Sequence, residues 1–358
     1  MKFHVDASVL KRLCHVFHSG THPISFNAHL GDHNYVSASG YDGFKYMHAT
    51  FNADVYDGGE VIIPARYLSV IPYLEDRVLM HYLTSDKLSL RDPARQFIIP
   101  SEKPDRPYLM PERMTLGSIT VELKELKTLI KRVRFATGID DRLGFDCVLL
   151  QFGDHIKAVG CDRRTVAVAR MQQGSPYCGK FHLPKRALEV ITDLDGDMVS
   201  LTFHPNGVGL SVVGEIMVDI YMPERVGHFP PYEALLDVPV NTTLQCRQDD
   251  LASILADMRL VSDKVNVKCG HEGYVKLFAR FRARDESDAA VERHLKGGNW
   301  EGSDLKVNVK GRVVEQAIEH IAGVVTFRFS NDMGPFSITS EDENFVAVLM
   351  PYSGAEKK

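Results

Sequence analysis

The segment ELKELKTLIKRVRFATG, residues 122–138, carries two stripes of side chains at helical spacing. The apolar stripe repeats every three or four residues and so lies on one face of an α-helix; it consists of Leu123, Leu126, Ile130 and Val133. The stripe beside it is basic and consists of Lys124, Lys127, Lys131 and Arg134. The segment therefore predicts an amphipathic helix with one buried face and one cationic face.

Two further segments share this layout, so the chain reads as a threefold repeat. DASVLKRLCHVFHSG, from Asp6, and RQDDLASILADMRLVSD, from Arg247, predict equivalent helices. Strands and then a shorter helix follow each of them, the shorter helices being IIPARYLSVI from Ile62, HLPKRALEVI from His182 and VKGRVVEQAIEHI from Val309. One unit of two helices and several strands thus occurs three times.

The spacing of marker residues supports the repeat. Phe17 and Phe135 lie 118 residues apart at the ends of their helices, and Pro64 and Pro184 lie 120 residues apart at the starts of theirs. Proline suits the first turn of a helix, because the N–H that it lacks would have no partner there. Pro72 should shorten the second helix of the first unit.

The strands show a period of two. Residues 199–212 alternate around an Asn206-Gly207 turn, and residues 324–339 and 78–90 repeat the pattern. Such alternation is typical of antiparallel hairpins with one buried face. The sequence therefore predicts an α+β fold of three tandem domains, each with two helices packed on antiparallel sheets.

Proline-rich stretches mark the predicted boundaries. Four prolines fall within residues 100–111, and Phe229-Pro-Pro-Tyr232 precedes the second boundary. The predicted domains are residues 1–112, 113–236 and 237–358. The polar segment 282–303 predicts a long, mobile insertion in the third domain.

Composition restricts the class of protein. The net charge of −5 gives no global sign of nucleic-acid binding, so any DNA contact needs a local basic surface. No apolar run approaches the roughly 20 residues that cross a bilayer, and the first residues lack a signal-peptide pattern. The six cysteines match no zinc spacing, and we expect reduced thiols in a cytoplasmic protein without metal or cofactor.

The basic stripe has two interpretations. It is either a solvated helix face or a surface for phosphates, which lysine and arginine contact without reading sequence. The first unit offers Lys11 and Arg12 at the equivalent helix. The equivalent helix of the third unit has a weaker basic character, since four aspartates accompany its three basic residues.

Four local motifs occur in order along the chain: RLGFDCVLL at 142–150, GCDRRTVAV at 160–168, FPPY at 229–232 and FVAVLMP at 345–351. They resemble the segments R-x-x-L-N-G-V-L-L, A-T-D-G-H-R-L-A, F-P-D-Y and V-V-M-P of the bacterial DNA sliding clamp, the DNA polymerase III beta-subunit family. With the threefold repeat, the resemblance covers nearly the whole chain.

The resemblance implies a non-enzymatic processivity factor. Two chains would pair head to tail as a homodimeric ring that encircles double-stranded DNA, with helices lining the hole. DNA polymerase and the clamp loader would bind a pocket through a short peptide motif.

The resemblance also implies site residues. Ordinary packing at a domain edge is the alternative for most of the pocket positions. The pocket would comprise Phe145, Cys161, Arg163, Arg164, Thr165, Val166, Pro230, Ala234, Leu235, Val348, Leu349, Met350 and Pro351. The dimer interface would include Phe97, Leu260 and Val261, and DNA would meet Lys11, Arg12 and the basic stripe.

Several positions depart from the family pattern and indicate a divergent member. Residues 163–166 read Arg-Arg-Thr-Val in place of G-H-R-L, and Glu233-Ala-Leu235 lacks the pocket arginine. Leu143 and Gly144 replace two tyrosines near DNA. These changes put the usual peptide motif in question, and the two arginines favour a motif with a carboxylate.

Two rival functions compete with this interpretation. An enzyme finds little support, since the acidic run Asp193-Leu-Asp-Gly-Asp197 has His204 where a calcium loop needs glutamate, and is interpreted as a helix-to-strand turn. The other rival is a clamp-fold interaction scaffold that no longer encircles DNA, suggested by the weak basic character of the third unit.

Overall fold

The computed structural model describes residues 1–17, 22–84, 86–102, 113–138, 144–225, 227–270, 274–281 and 289–352. Three of the linker prolines, Leu143 and the tail from residue 353 lie outside the described residues. The chain divides into two compact units, residues 1–127 with 183–225 and residues 128–182 with 226–358. This division passes through the second predicted domain, and the three domain bounds stay a prediction.

The elements of the first repeat are β1 (Lys2–Asp6), α1 (Ala7–Val16), β2 (Ile24–His29), β3 (Tyr35–Tyr41), β4 (Tyr46–Asn52), β5 (Asp54–Asp57), β6 (Gly59–Ile63), α2 (Ala65–Leu68), β7 (Arg77–Thr84), β8 (Lys87–Arg91) and β9 (Gln96–Pro100). Those of the second are β10 (Gly117–Glu122), α3 (Leu123–Arg134), β11 (Cys147–Phe152), β12 (Lys157–Cys161), β13 (Thr165–Arg170), β14 (Gly179–Pro184), α4 (Lys185–Leu188), β15 (Met198–His204), β16 (Gly207–Val212) and β17 (Met217–Pro223).

The third repeat contains β18 (Thr242–Arg247), α5 (Gln248–Arg259), β19 (Lys264–Gly270), β20 (Tyr274–Phe281), β21 (Ala289–His294), β22 (Asn299–Gly302), β23 (Leu305–Lys310), α6 (Gly311–Ile318), β24 (Val324–Phe329), β25 (Phe336–Ser340) and β26 (Phe345–Leu349). Short 3₁₀ helices lie at Ile71–Tyr73, Glu189–Asp193 and Glu233–Leu235. The α+β fold class is thereby confirmed. No helix in the described part of the chain is long and apolar enough to span a bilayer.

Four antiparallel sheets organise these elements. In the first unit, sheet A has the order β5-β1-β7-β8-β9 and sheet B has β10-β15-β16-β17-β4-β3-β2-β6. In the second unit, sheet C has the order β14-β11-β12-β13-β26-β25-β24-β18-β22 and sheet D has β21-β20-β19-β23. Sheets B and C each join strands of two repeats, at the β17–β4 and β13–β26 pairings.

The amphipathic helix prediction is confirmed in α3. Its apolar stripe is buried, and Leu129, which the stripe omitted, is buried as well. Gly160 on β12 permits close packing against this helix, because a Cβ there would lie 2.2 Å from the carbonyl oxygen of Val133. The sequence of β12 therefore fixes how near α3 can approach its sheet.

Most of the hairpin and turn predictions are confirmed. β15 and β16 pair through Val199 with Val212 and close at His204 with Gly207. Pro72 lies in a 3₁₀ turn, and the preceding helix α2 has only four residues. The acidic run after residue 193 follows a 3₁₀ helix and ends at the start of β15, as the turn interpretation requires.

The predicted mobile insertion at residues 282–303 is wrong for its described part. Residues 289–294 form β21, which pairs with β20, and residues 299–302 form β22, which pairs with β18. Both are edge strands with mostly exposed side chains, so their polar composition resembled a loop. Residues 282–288 lie outside the described part.

Candidate functional site

The basic stripe lies along α3, but its four members are not equally exposed. Lys124 and Lys131 are exposed, whereas Lys127 and Arg134 are half-buried. The ammonium group of Lys127 donates to the carbonyl oxygen of Leu194. Two cationic side chains of the stripe are therefore well placed to meet a phosphate, and a third already has a backbone partner.

The first repeat presents a mixed surface at the equivalent helix. Lys11 is exposed, but the Arg12 guanidinium lies 3.1 Å from an Asp195 carboxylate oxygen and 3.2 Å from one of Glu215. His15 lies 3.3 Å from Asp193. Acidic groups from distant parts of the sequence thus compensate the charge of Arg12, which reduces its attraction for a phosphate.

The predicted pocket residues meet where β13 pairs with β26. Val166 is opposite Val348 and Thr165 is opposite Leu349 in this register. The N–H of Met350 continues the pairing by donating to the Arg164 carbonyl oxygen at 2.9 Å. Two predicted segments that are far apart in sequence are therefore joined in one sheet.

Strand alternation divides these residues between two faces of sheet C. Val166 and Val348 point to one side, while Thr165 and Leu349 point to the other because successive side chains alternate. A single groove on one face cannot be lined by both sets. Thr165 and Leu349 therefore lie on the opposite face of sheet C from Val166 and Val348.

The face that carries Val166 belongs to a buried apolar cluster. It comprises Phe145, Leu149, Val159, Cys161, Val166, Val168 and Tyr232, with Phe229, Leu236 and Val346 packed against it. Tyr232, Leu236 and Val346 were missing from the predicted pocket. Tyr232 and Val346 lie in the FPPY and FVAVLMP motifs, so the sequence carried a signal for both, whereas Leu236 lies outside the four motifs.

Tyr232 is anchored at both ends. Its ring is buried in the cluster, and its hydroxyl donates to the side-chain oxygen of Gln151 at 3.1 Å. Burial raises the pKa of Tyr232 above its ordinary value. Burial likewise raises the pKa of the Cys161 thiol to about 11, so this cysteine is a packing residue and a poor nucleophile.

Two of the predicted apolar lining residues remain accessible. Leu235 is 50% exposed and Met350 is 48% exposed, whereas Phe145, Val166, Val348 and Leu349 are buried. Ala234 is exposed, and Pro230 and Pro351 are half-buried. A partner side chain would therefore meet Leu235 and Met350 first, above the buried cluster.

Arg163 and Arg164 occupy the tip of the β12–β13 hairpin and are exposed. The Asp162 carboxylate shapes this tip by accepting the backbone N–H groups of Arg164 at 2.7 Å and Thr165 at 2.6 Å. The turn holds two cationic side chains beside the strand that carries Val166.

The predicted interface residues lie at separate places in the two units. Phe97 is half-buried on β9, an edge strand of sheet A. Leu260 follows the end of α5 and is 86% exposed, and the neighbouring Val261 is half-buried. Leu260 is the most exposed large apolar side chain among the described residues.

Solved structures with the same architecture cover the whole chain. The putative DNA polymerase III beta subunit of Eubacterium rectale aligns over 98% of this chain and 99% of its own, with 14% identity and a TM-score of 0.85. The beta subunit of Thermotoga maritima covers 99% and 100%, with 18% identity and a TM-score of 0.84. The chain has the sliding-clamp fold.

Another structure with this fold is the Bartonella birtlesii sliding clamp bound to griselimycin, with 18% identity, a TM-score of 0.85 and 99% coverage of both chains. The sequence itself matches no family model and no curated protein. The sliding-clamp fold is thus shared at 14–18% sequence identity.

Proposed function

We propose that this chain is a DNA sliding clamp, which encircles duplex DNA and tethers a DNA polymerase as a non-enzymatic processivity factor in the cytoplasm. The alignment of entire chains, with TM-scores of 0.82–0.85 to beta subunits and sliding clamps, carries this proposal. The exposed lysines of α3 support it, because they offer contact with phosphates without sequence specificity.

Topological retention explains how an acidic protein would hold DNA. A closed ring prevents escape, so individual phosphate contacts can remain weak enough for sliding. Lys124 and Lys131 supply such contacts, and the ion-paired Arg12 contributes less. Each phosphate that a variant no longer neutralises should lower the slope of log affinity against log salt by about 0.9.

Ring closure would come from a homodimer. The proposed contact joins the β9 edge, with Phe97, of one chain to the Leu260–Val261 corner of another, since both carry apolar side chains at accessible positions. Leu260→Asp should then convert dimers into monomers in sedimentation velocity. Met333→Asp, at another exposed apolar residue, is the matched control and should leave dimers intact.

Partners would bind above the apolar cluster through a short peptide. Leu235 and Met350 would cover one or two apolar side chains of the peptide, each worth roughly 1.5–3 kcal/mol on full burial. Arg163 and Arg164 would attract a carboxylate in the same peptide. Titration of an acidic peptide of this kind should show weaker binding to Met350→Ala than to the exposed-methionine control Met114→Ala.

Retention on DNA tests the main proposal. The protein is loaded with its clamp loader onto a nicked circular plasmid, and half of the sample is then linearised before gel filtration. A clamp stays with the circle and leaves the linear molecule. Equal retention on circular and linear DNA would indicate direct binding without encirclement. No retention on either form would favour the alternative function, an interaction scaffold that does not encircle DNA.

A further inference from the structure

Sheet D has one apolar face and one basic face. On β19, Val265 and Val267 are buried, while Lys264 and Lys268 are exposed. The apolar face packs on α5 and α6, with which it encloses a small cavity lined by residues such as Val267 and Leu277. The opposite face, called here the lysine face, consists of Lys264, Lys268, Lys276, Lys306 and Lys310.

Lysines of the lysine face lie directly opposite one another. Lys264 pairs with Lys310, and Lys268 pairs with Lys306 on one side and Lys276 on the other. Side chains at such positions are separated by only about 5 Å at Cβ, and like charges there destabilise a sheet. The folded chain therefore concentrates positive charge that its own stability does not require.

Two carboxylates lie beside this arrangement: Glu292 near Lys276, and Asp332, which accepts the backbone N–H of Lys306 at 3.0 Å. Lys276 lies 2.5 Å from Glu292, and the Lys264 ammonium lies 4.9 Å from the centre of the Tyr352 ring. Among the described residues, no carboxylate lies within 4.0 Å of the ammonium groups of Lys268, Lys306 or Lys310. In a chain with net charge −5, this face is a local concentration of positive charge that favours an anionic partner.

A row of Asn308, Asn266 and Phe278, which ends at Glu292 on β21, separates two rows of lysines. The Asn266 amide donates to the Asn308 side-chain oxygen at 2.7 Å, and Phe278 lies opposite Asn266 on β20. The side-chain oxygen of Asn266 is buried and has no hydrogen-bond partner. The lysine rows lie four residues apart along the strands, a separation of roughly 13 Å.

We propose that the lysine face binds single-stranded nucleic acid. Lysine is a point charge that suits phosphates, whereas recognition of carboxylates favours the planar fork of arginine. A four-stranded sheet is too wide to enter a duplex groove, so Phe278 can reach a base only if that base is unpaired. An aromatic ring between cationic rows is a typical arrangement for an unpaired strand.

This site differs from the proposed duplex contact. It lies on the side of sheet D away from α5, and it uses neither the basic stripe of α3 nor ring closure. Binding of a single strand could therefore be measured on the full chain without loading. If the chain does not bind a single strand, the clamp proposal is unaffected. If the chain is not retained on circular DNA, the single-strand proposal is unaffected.

Fluorescence anisotropy of a labelled oligothymidine at low salt tests the proposal. The quadruple variant Lys264→Gln, Lys268→Gln, Lys306→Gln and Lys310→Gln should bind at least about tenfold more weakly, and its salt slope should fall by about 0.7 for each phosphate no longer neutralised. Its melting temperature should stay equal or rise, because repulsion is removed. Lys87→Gln with Lys180→Gln, a control at two exposed lysines on β8 and β14 outside both proposed nucleic-acid sites, should bind like wild type.

Phe278→Leu gives a second measurement that preserves an apolar side chain. It should weaken oligothymidine binding by about tenfold because a base can no longer stack on the ring, with little change in the salt slope. The proposal would be overturned by equal binding of wild type and the quadruple variant. Equal affinity for a duplex of the same length, or displacement by polyglutamate at equal charge, would overturn it too.

Discussion

Sheets A and D are both small antiparallel sheets, yet they arrange surface charge in opposite ways. In sheet A, β1 places Lys2 opposite Asp57 and His4 opposite Asp54. Asp54 also pairs with Arg77, and the N-terminal ammonium lies 2.8 Å from Asp57. In sheet D, lysines face lysines. Cross-strand charge pairing is therefore available to this fold, yet on the lysine face it occurs only at Lys276 and Glu292 among the described residues, so the clustered lysines are not explained by folding alone.

The largest effects should come from the buried faces, where the two sheets are alike. Phe3 of sheet A is 0% exposed and Leu277 of sheet D is 2% exposed. Phe3→Ala should reduce the free energy of unfolding by about 3–5 kcal/mol and Leu277→Ala by about 2–5 kcal/mol, through reduced burial and a residual cavity. Urea denaturation measures both. If only one of the two variants showed a small reduction in the free energy of unfolding, the buried faces of the two sheets would differ as well.

Charge reversal on the outer faces should act in opposite directions. Lys306→Glu places an anion opposite Lys268 and should stabilise the chain by about 0.2–1 kcal/mol. Asp54→Lys removes the partner of Arg77 and should destabilise it by a similar amount. Shifts of the urea midpoint in the same direction for both variants would contradict the comparison.

Lower pH should add positive charge to the outer face of sheet A and so make its charge more like that of sheet D. Burial, then the charges of Arg77 and Lys2, hold the pKa of His4 below its ordinary value of 6.5. The imidazole of His4 therefore binds a proton less readily in the folded chain than in the unfolded chain. Its contribution to the free energy of unfolding is fully present above pH 6.5 and declines as the pH falls below that value. His4→Asn should flatten this decline in urea midpoints measured across that range. A slope like that of wild type would exclude His4 as its source.

A comparably small effect concerns the aromatic ring that contacts Lys264 on the lysine face. Tyr352→Leu removes the ring beneath Lys264 and should lower the free energy of unfolding by about 0.5–1 kcal/mol. Tyr352→Phe keeps the ring and should behave like wild type in thermal unfolding. A comparable decrease in both variants would assign the effect to the hydroxyl group.

Local periodicity predicted much of this fold. The stripe of α3 and the Asn206 turn of the β15–β16 hairpin depend on neighbours in sequence, and both were confirmed. Edge strands β21 and β22 were missed because their side chains are mostly exposed and polar, so they lack the apolar alternation that marks a strand. Periodicity also gives no partner for a strand, so the β17–β4 and β13–β26 pairings came from the structure alone.

The candidate site was predictable in part. Motifs identified the stretches that meet near Val166, but only the register shows that Leu349 points to the other face. Leu236 rather than Leu235 packs on the cluster, since a 3₁₀ helix separates the directions of adjacent side chains. The pairing of Arg12 with Asp195 joins residues too distant in sequence for any spacing argument.

The β13–β26 pairing also sets a waiting time during synthesis. Val168 and Val346 are partners although 178 residues separate them. At roughly 5–20 residues per second, a ribosome adds the second about 9–36 s after the first. Until then β13, a run of valine and alanine, is an open sheet edge of the kind that joins other chains into aggregates. Newly made protein should therefore depend on chaperones, or on slower translation at lower temperature, far more than the finished fold does.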